Sequence, residues 1–217
     1  MGGEKGPPME QESMQTGSLP RIVLASSSRW RAELLEAVGL SCELHPPGLD
    51  ESACPERRPV ERAVELAKAK LETVAQHYPG CLVIAADQVA HLDGKAFGKP
   101  RDQEEHFEML SGLRGREHAL VTAVAIQWKD SIKVFHEVTG ILFRGDVTDL
   151  ELQAYVQSGE GSGCAGGYQV ERLGPWLIAE VKGDWFNVVG LPIPRLITEL
   201  RELGVGLQHV AIPKAVG

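Results

Sequence analysis

The stretch RIVLASSSRWRAELLEAVG, residues 21–39, predicts a strand, a turn and a helix in succession. Its first residues, RIVLA, predict a short buried strand. A run of serines follows, and a helix is then predicted from apolar residues at helical spacing: Trp30, Leu34, Leu35 and Val38. Gly39 marks the end of that helix. A strand, a serine-rich turn and a helix in this order leave free backbone N–H groups at the helix N-terminus, which favours an anion there.

The remaining sequence mixes strand and helix patterns without strict alternation. Strands are predicted at 41–47, 81–92, 118–128, 133–143, 168–173 and 176–183. Helices are predicted from Pro59 to Val74, from Asp102 to Leu113, from Thr148 to Val156 and over 194–203. This mixture predicts an α/β domain built around one long, largely central sheet.

Length and charge limit the classes of function. A chain of 217 residues, 43% of them hydrophobic, is long enough to bury a large core and is not disordered throughout. Its net charge of -8 argues against a general nucleic-acid binder or a binder of anionic membranes, because both need a cationic surface. No apolar run approaches the roughly 20 residues of a membrane span.

The ends of the chain and the cysteines suggest a cytoplasmic domain. Residues 1–19 are rich in Gly, Pro, Glu, Gln and Ser and predict a disordered tail. They contain no apolar core of a secretory signal. We expect the folded domain at 20–207 and a short tail at 208–217. No two of the four cysteines have CxxC spacing, so we expect reduced thiols and a cytoplasmic protein.

Asp87 is the most informative single residue. It interrupts the apolar run LVIAA, which should lie inside the sheet. A carboxylate there is costly unless it has a partner, a metal or a catalytic task. The alternative is an aspartate at the end of a strand that bonds a turn. The pattern favours a functional residue.

The segment SSSRWR, residues 26–31, could bind phosphate. Hydroxyls, turn amides and arginines gather where a helix begins. The alternative is plain N-capping by Ser28 with solvated arginines. Lys70 and Lys99 could be plain surface lysines, but Lys99, in the turn FGKP after the Asp87 strand, could also reach the same cleft. Glu51, in the acidic loop GLDES, could share a divalent cation with Asp87, since Mg²⁺ is often held by one or two carboxylates and substrate phosphates.

The segment GSGCAG, residues 161–166, formally matches the GxGxxG pattern. A dinucleotide site needs a strand before the glycines and a helix after them. Here a helix is predicted before and a strand after, so a flexible or close-packed glycine loop is the better interpretation.

Several separated motifs together resemble the Maf family of nucleoside triphosphate pyrophosphatases. In family order they are LASSSRWRAELL, LDES, ELAKAKLE, AADQV with GKP, EMLSGLRGREH with VTAV, AYVQSGEGSGCAGGY and NVVGLPI. The resemblance covers about residues 21–203. It implies an elongated mixed α/β fold with a cleft between two lobes, similar to the inosine triphosphate pyrophosphatases. It also implies metal-dependent hydrolysis between the α- and β-phosphates, giving a nucleoside monophosphate and pyrophosphate.

The resemblance also implies roles for individual residues. Asp87 matches the catalytic base, and the phosphate and metal site matches Ser26, Ser28, Arg31, Glu51, Lys70 and Lys99. Glu51 and Asp87 are expected to hold a divalent cation, Mg²⁺. Arg29 stands where the family usually has proline, which could shift the turn or bring a further charge to the phosphates. Similarity to this class of fold also leads us to expect a homodimer.

In the family that the sequence resembles, three positions differ between members that act on different nucleotides. Members acting on dTTP and UTP typically have Arg, Thr and Gln where this chain has Trp30, Gln88 and Glu171, whereas members acting on 7-methyl-GTP have Trp, Gln and Glu. An indole is the best cation–π partner for the cationic methylated guanine, and a carboxylate accepts hydrogen bonds from its N1–H and amine. The resemblance at these three positions thus implies a 7-methyl-GTP pyrophosphatase that removes modified nucleotides. The alternatives are a dTTP/UTP pyrophosphatase and a non-catalytic nucleotide-binding regulator of cell division.

Overall fold

The computed structural model describes residues 19–51 and 58–210. Within these ranges seven strands form one sheet: β1 (Ile22–Ala25), β2 (Cys42–Leu44), β3 (Leu82–Leu92), β4 (Lys95–Phe97), β5 (Glu117–Trp128), β6 (Ser131–Phe143) and β7 (Ile178–Lys182). The strand order is β2-β1-β3-β5-β6-β7, and β4 pairs with the end of β3. β1 is parallel to β2 and β3, whereas every later pair is antiparallel.

The described residues form six α-helices: α1 (Arg29–Ala37), α2 (Pro59–Ala75), α3 (Gln103–Leu113), α4 (Asp149–Gln157), α5 (Trp185–Val189) and α6 (Ile193–Glu202). Four of them, α1, α3, α4 and α5, begin directly after a side chain that caps the first turn. Asp102 caps α3 by accepting from the backbone N–H of Glu105 at 2.8 Å. Thr148 and Glu151 form the predicted capping box of α4. These caps satisfy N–H groups that have no partner inside the helix.

Helices cover both faces of one half of the sheet. Successive residues of a strand point to opposite faces, so Leu24 packs toward α1 and α6 while Val23 packs toward α2. A third apolar cluster lies around the far ends of β5 and β6, with α3 and α4. The predicted α/β class and the mixed sheet flanked by helices are confirmed.

The strand predicted over 168–173 is wrong. These residues form turns, although Tyr168 and Val170 are buried. Side chains bond the backbone here: the Tyr155 hydroxyl accepts from Gln169 N at 3.0 Å, and a Glu160 carboxylate oxygen accepts from Leu173 N at 2.8 Å. Because these N–H groups already have acceptors, no neighbouring strand is needed.

The glycine segment before these turns is close-packed, as predicted. It follows α4, and turns rather than the predicted strand come directly after it. Gly161 has a φ of +80°, and a Cβ there would lie 2.2 Å from the Gly167 carbonyl oxygen. Only glycine fits such a position. β4 and α5 are elements that the sequence patterns did not predict.

Most of the two predicted tails, together with Ser52 of the GLDES loop and Cys54, lies outside the described residues. At the ends of the described ranges, Leu19 and Val210 pack against the core that contains α1 and α6. Among the helices of residues 19–51 and 58–210, none is long and apolar enough to cross a membrane.

Candidate active site

Asp87 lies in the middle of β3 and faces α2. Lys70 of α2 donates from Nζ to Oδ1 of Asp87 at 2.5 Å and contacts Oε1 of Glu51 at 2.7 Å. Only 8% of the Lys70 and Asp87 side chains is exposed, against 54% of Glu51. The alternative of an aspartate that bonds a turn at the end of a strand is therefore wrong. One buried cation joins two carboxylates.

The two carboxylates have opposite pKa shifts. Burial raises the pKa of Asp87 above its ordinary value, although Lys70 and Arg31 oppose that change. Partial burial also acts to raise the pKa of Glu51, but the hydrogen bond and charge of Lys70, helped by Lys99 and Arg31, hold it below its ordinary value. A less buried, ionised Glu51 thus lies beside a more basic Asp87.

The serine-rich turn holds an arginine against the end of β1. Ser28 caps α1, since its Oγ accepts from Arg31 N at 3.4 Å. Arg31 is not a solvated side chain: Nη1 donates to Ala86 O at 2.9 Å and to Ser26 Oγ at 3.3 Å, and Nε donates to Gly190 O at 2.9 Å. Ser28 therefore caps α1 while the same turn positions a half-buried cation near Asp87.

One cavity of about 490 Å³ brings most of the predicted residues together. Its lining includes Ser26, Ser28, Trp30, Arg31, Glu51, Lys70, Asp87, Gln88 and Lys99. Lys99 is exposed at its rim. Arg29, the residue that stands where the resemblance leads us to expect proline, also lines it. An adjoining cavity of about 580 Å³ shares Glu51, Asp87 and Lys99.

Trp30, Gln88 and Glu171 line one small pocket of about 50 Å³. Gln88 is fixed there, because its Nε2 donates to Thr122 Oγ1 at 3.0 Å and to Asn187 O at 2.7 Å. Glu171 reaches the pocket from a turn, whereas the sequence placed it on a strand. Partial burial raises the pKa of its carboxyl. The three positions that bear on the nucleotide therefore share one pocket.

Sequence reasoning missed Cys164, Ala165 and Gln169 as part of the site. All three line both the 490 Å³ cavity and the small pocket. Gln169 Nε2 donates to Cys164 Sγ at 3.6 Å, and burial raises the pKa of that thiol. The sequence feature that could have identified them is the close-packed glycine segment, because it brings these residues to the wall of the cavity.

The carboxylates of the site suit a divalent cation that is bound by the protein and by the substrate phosphates together. No group of three His, Cys, Asp or Glu residues within 19–51 and 58–210 could hold a metal ion alone. Glu51 and Asp87 converge on a single point, as shown by their contacts with one Lys70 nitrogen. Two carboxylates supplemented by phosphate oxygens are a common Mg²⁺ environment. The residues present therefore fit such a cation.

The sequence matches the family model described as Maf-like protein over residues 21–203. The chain belongs to the Maf family. Three relatives named dTTP/UTP pyrophosphatase support this placement. The one from Carboxydothermus hydrogenoformans is 41% identical over 85% of this chain and 99% of its own length. The one from Syntrophomonas wolfei is 38% identical over 85% of this Maf chain and 98% of its own length. The one from Pyrococcus furiosus is 38% identical over 88% of this chain and 100% of its own length.

Solved structures give more distant matches. A HAM1 protein from Coxiella burnetii has a TM-score of 0.45 and 15% identity, over 85% of this Maf chain and all of that protein. The Ham1 protein from Staphylococcus aureus has a TM-score of 0.41 and 18% identity, over 58% of this chain and 72% of the other.

Proposed function

We propose that this Maf protein is a nucleoside triphosphate pyrophosphatase. The observation that carries the proposal is the buried Asp87–Lys70 pair at a cavity lined by Arg31, Lys99 and the serine-rich turn. A carboxylate with a raised pKa beside several cations suits general-base chemistry on a polyanionic substrate. The relatives' names support the same class of substrate.

Each charged group of the site has a role in the proposed hydrolysis. Asp87 takes a proton from a water molecule as the water oxygen attacks the α-phosphorus and the bond to the β-phosphate breaks. Pyrophosphate leaves with additional negative charge. Arg31, Lys99 and the N-terminus of α1 are placed to stabilise that charge in the transition state. Lys70 keeps Asp87 oriented and neutralised in the free protein.

Glu51 and Asp87 would hold a divalent cation, with Mg²⁺ as the expected ion. When bound, such an ion offsets the negative charge of the phosphate oxygens. Lys70 contacts the same two carboxylates, so the cation and Lys70 share these ligands.

The first candidate substrate is a pyrimidine triphosphate, dTTP or UTP. Its support is the set of relatives that share 38–41% identity with this chain over nearly their whole length.

The second candidate substrate is 7-methyl-GTP. The observation that favours it is the meeting of Trp30 and Glu171 in the same pocket. An exposed indole face can stack on a cationic base, and a carboxylate can counter its charge. A partly exposed Trp30 could serve that role without leaving its position on α1.

The deciding experiment measures pyrophosphate release with Mg²⁺ from dTTP, UTP, CTP, GTP and 7-methyl-GTP. Preference for dTTP or UTP supports the first candidate, and preference for 7-methyl-GTP supports the second. Binding of nucleotide without turnover of any substrate would overturn the enzymatic proposal and would favour a non-catalytic regulator.

A further inference from the structure

The adjoining cavity of about 580 Å³ (the α2 cavity) continues from the candidate active site along α2. Residues at four-residue spacing lie on the same side of a helix, and Arg62, Leu66 and Lys70 are spaced in this way. Lys70 contacts Asp87 at one end of this row, whereas Arg62 and Leu66 line the α2 cavity beyond it. Glu51 and Asp87 line both the α2 cavity and the 490 Å³ cavity. The two cavities therefore meet at the proposed catalytic carboxylate.

A gap along one edge of β3 opens the α2 cavity. On this edge β1 pairs with residues 82–85 and β4 pairs with residues 90–92, while β5 lies along the other edge. Residues 86–89, which include Asp87, pair with neither β1 nor β4. Residues 94–99, which contain β4, line the α2 cavity. The gap therefore leaves room for a ligand that extends from Asp87 past β4.

The charged side chains of the α2 cavity are unevenly distributed. Glu51 and Asp87 lie where it meets the 490 Å³ cavity, and the other charged residues that line it within the described ranges are Arg62, Lys95 and Lys99. The chain as a whole is acidic, with a net charge of -8. Cations that line a cleft with apolar walls raise the local concentration of anions. Away from the two carboxylates, the α2 cavity therefore suits a chain of phosphates.

Arg62 is held close to the catalytic end of this cavity. Its Nη2 donates to the backbone oxygen of Glu51 at 3.4 Å, and the carboxylate of Glu51 contacts Lys70. This bond uses a single N–H of a guanidinium group, which has several donors. Arginine often binds phosphate through two parallel hydrogen bonds. Arg62 is therefore placed to bind a phosphate group that lies beyond the expected divalent cation.

The nucleoside part of the substrate has a separate place. Trp30 and Glu171 line the small pocket, and neither of them lines the α2 cavity. With the base in the small pocket, the phosphate chain runs through the 490 Å³ cavity, past Asp87 and into the α2 cavity. Attack of water on the α-phosphorus beside Asp87 then leaves the departing phosphates on the side of Arg62.

We propose that the α2 cavity binds the departing phosphate chain, with Arg62, Lys95 and Lys99 as its ligands. This inference rests on the proposed pyrophosphatase function. A cavity of about 580 Å³ lies within the range of roughly 300–1,000 Å³ that holds drug-sized ligands, so pyrophosphate fills only part of it. The site therefore also accepts nucleoside 5′-tetraphosphates, whose departing chain is one phosphate longer.

The reaction with a tetraphosphate follows the same steps. The water oxygen forms a bond to the α-phosphorus, and the bond from this phosphorus to the oxygen that bridges it to the β-phosphate breaks. Asp87 takes the proton of the water. The products are a nucleoside monophosphate and inorganic triphosphate, and no further reactant is needed.

Calorimetric titration of the full chain with inorganic phosphate chains tests the site without turnover. In saturating Mg²⁺, wild type should bind inorganic triphosphate about tenfold more tightly than pyrophosphate, because the longer chain reaches Arg62. Arg62→Gln should remove this difference. Arg58→Gln is the matched control and should retain it, since the Arg58 side chain is 85% exposed and does not line the α2 cavity. Equal affinities in wild type, or a preference that Arg62→Gln retains, would overturn the proposal.

Steady-state kinetics test the activity, with the preferred nucleoside triphosphate and the corresponding tetraphosphate as substrates. Wild type should release inorganic triphosphate from the tetraphosphate. Arg62→Gln and Lys95→Gln should each lower kcat/KM for the tetraphosphate about tenfold more than for the triphosphate, whereas Arg58→Gln should change neither. Equal thermal unfolding of the variants excludes misfolding.

Two failures can be told apart. A wild-type protein that hydrolyses the triphosphate but not the tetraphosphate, or equal losses for both substrates in Arg62→Gln, would overturn the proposal for the α2 cavity. A wild-type protein that hydrolyses no nucleotide would overturn the proposed function, and the calorimetric titration would still decide whether the cavity binds phosphate chains.

Discussion

The Nζ atom of Lys70 on α2 lies 2.5 Å from Oδ1 of Asp87 on β3, with only 8% of each side chain exposed. Placing two charges where apolar side chains would pack is costly, and such a pair adds little net stability. The pair also lies at the cavity that contains most of the other predicted substrate-binding groups. Its position is better explained by chemistry on a phosphate substrate than by support of the fold.

Removing one member of this pair should destabilise the protein. Lys70→Met leaves the Asp87 carboxylate buried without its cation, which should cost about 3–5 kcal/mol of unfolding free energy. The double variant Lys70→Met/Asp87→Asn should cost about 1–3 kcal/mol less than the sum of the single changes. Urea denaturation measures all three.

Lys68→Met provides a matched control on the same helix, because Lys68 is exposed. It should change the free energy of unfolding by less than about 0.5 kcal/mol. Additive effects of the two changes at positions 70 and 87 would show that their contact carries no coupling energy.

Glu171→Gln tests whether the small pocket reads a cationic base. Removal of the carboxylate charge should lower the ratio of kcat/KM for 7-methyl-GTP to that for GTP by about tenfold. Steady-state kinetics with both substrates gives this ratio. Glu180→Gln, exposed on β7, should leave the ratio unchanged. Equal losses for both nucleotides would count against Glu171 as a base-reading residue.

His118 should make the fold sensitive to acid. Burial, followed by the nearby His91, lowers the pKa of His118 to about 4, and its Nε2 lies 2.7 Å from the Tyr168 hydroxyl. The unfolded histidine has a pKa of about 6.5. Between these values the unfolded chain binds a proton that the folded chain does not, so stability falls as pH drops through this window. The full loss is about 3 kcal/mol.

His118→Gln removes this titration. Urea denaturation at neutral and at mildly acidic pH should show a shallower pH dependence for the variant than for wild type, whatever its stability at neutral pH. Identical slopes would mean that other groups account for the acid sensitivity.

Sequence patterns correctly predicted the turns and helix starts that depend only on residues close together in the chain. The serine-rich turn, the N-cap at Ser28 and the capping box at Thr148 follow from hydrogen bonds between residues close in sequence. Asp87 could be identified because a carboxylate inside an apolar strand is energetically costly unless it has a partner or a function. Its partner Lys70 could be named only through the family resemblance, since their contact depends on how α2 packs on β3.

The sequence patterns failed for segments whose structure depends on contacts with distant parts of the chain or that are too short to show a periodic pattern. Residues 168–171 alternate apolar and polar side chains as a strand does. However, the Tyr155 hydroxyl accepts from Gln169 N, and the Glu160 carboxylate accepts from Leu173 N. The short helix α5 lacks the length that makes a periodic pattern visible. Cys164 and Gln169 reach the site through a glycine-rich loop, and no periodicity of the sequence describes such a path.

The most direct test of the central claim compares wild type with Asp87→Asn in Mg²⁺, by following pyrophosphate and nucleoside monophosphate formed from the preferred nucleotide. Wild type should release both products in equimolar amounts. Asp87→Asn should react about 10²–10⁴-fold more slowly while still binding nucleotide. Near-wild-type turnover by Asp87→Asn would contradict Asp87 as the base, and release of orthophosphate instead of pyrophosphate would contradict attack at the α-phosphorus.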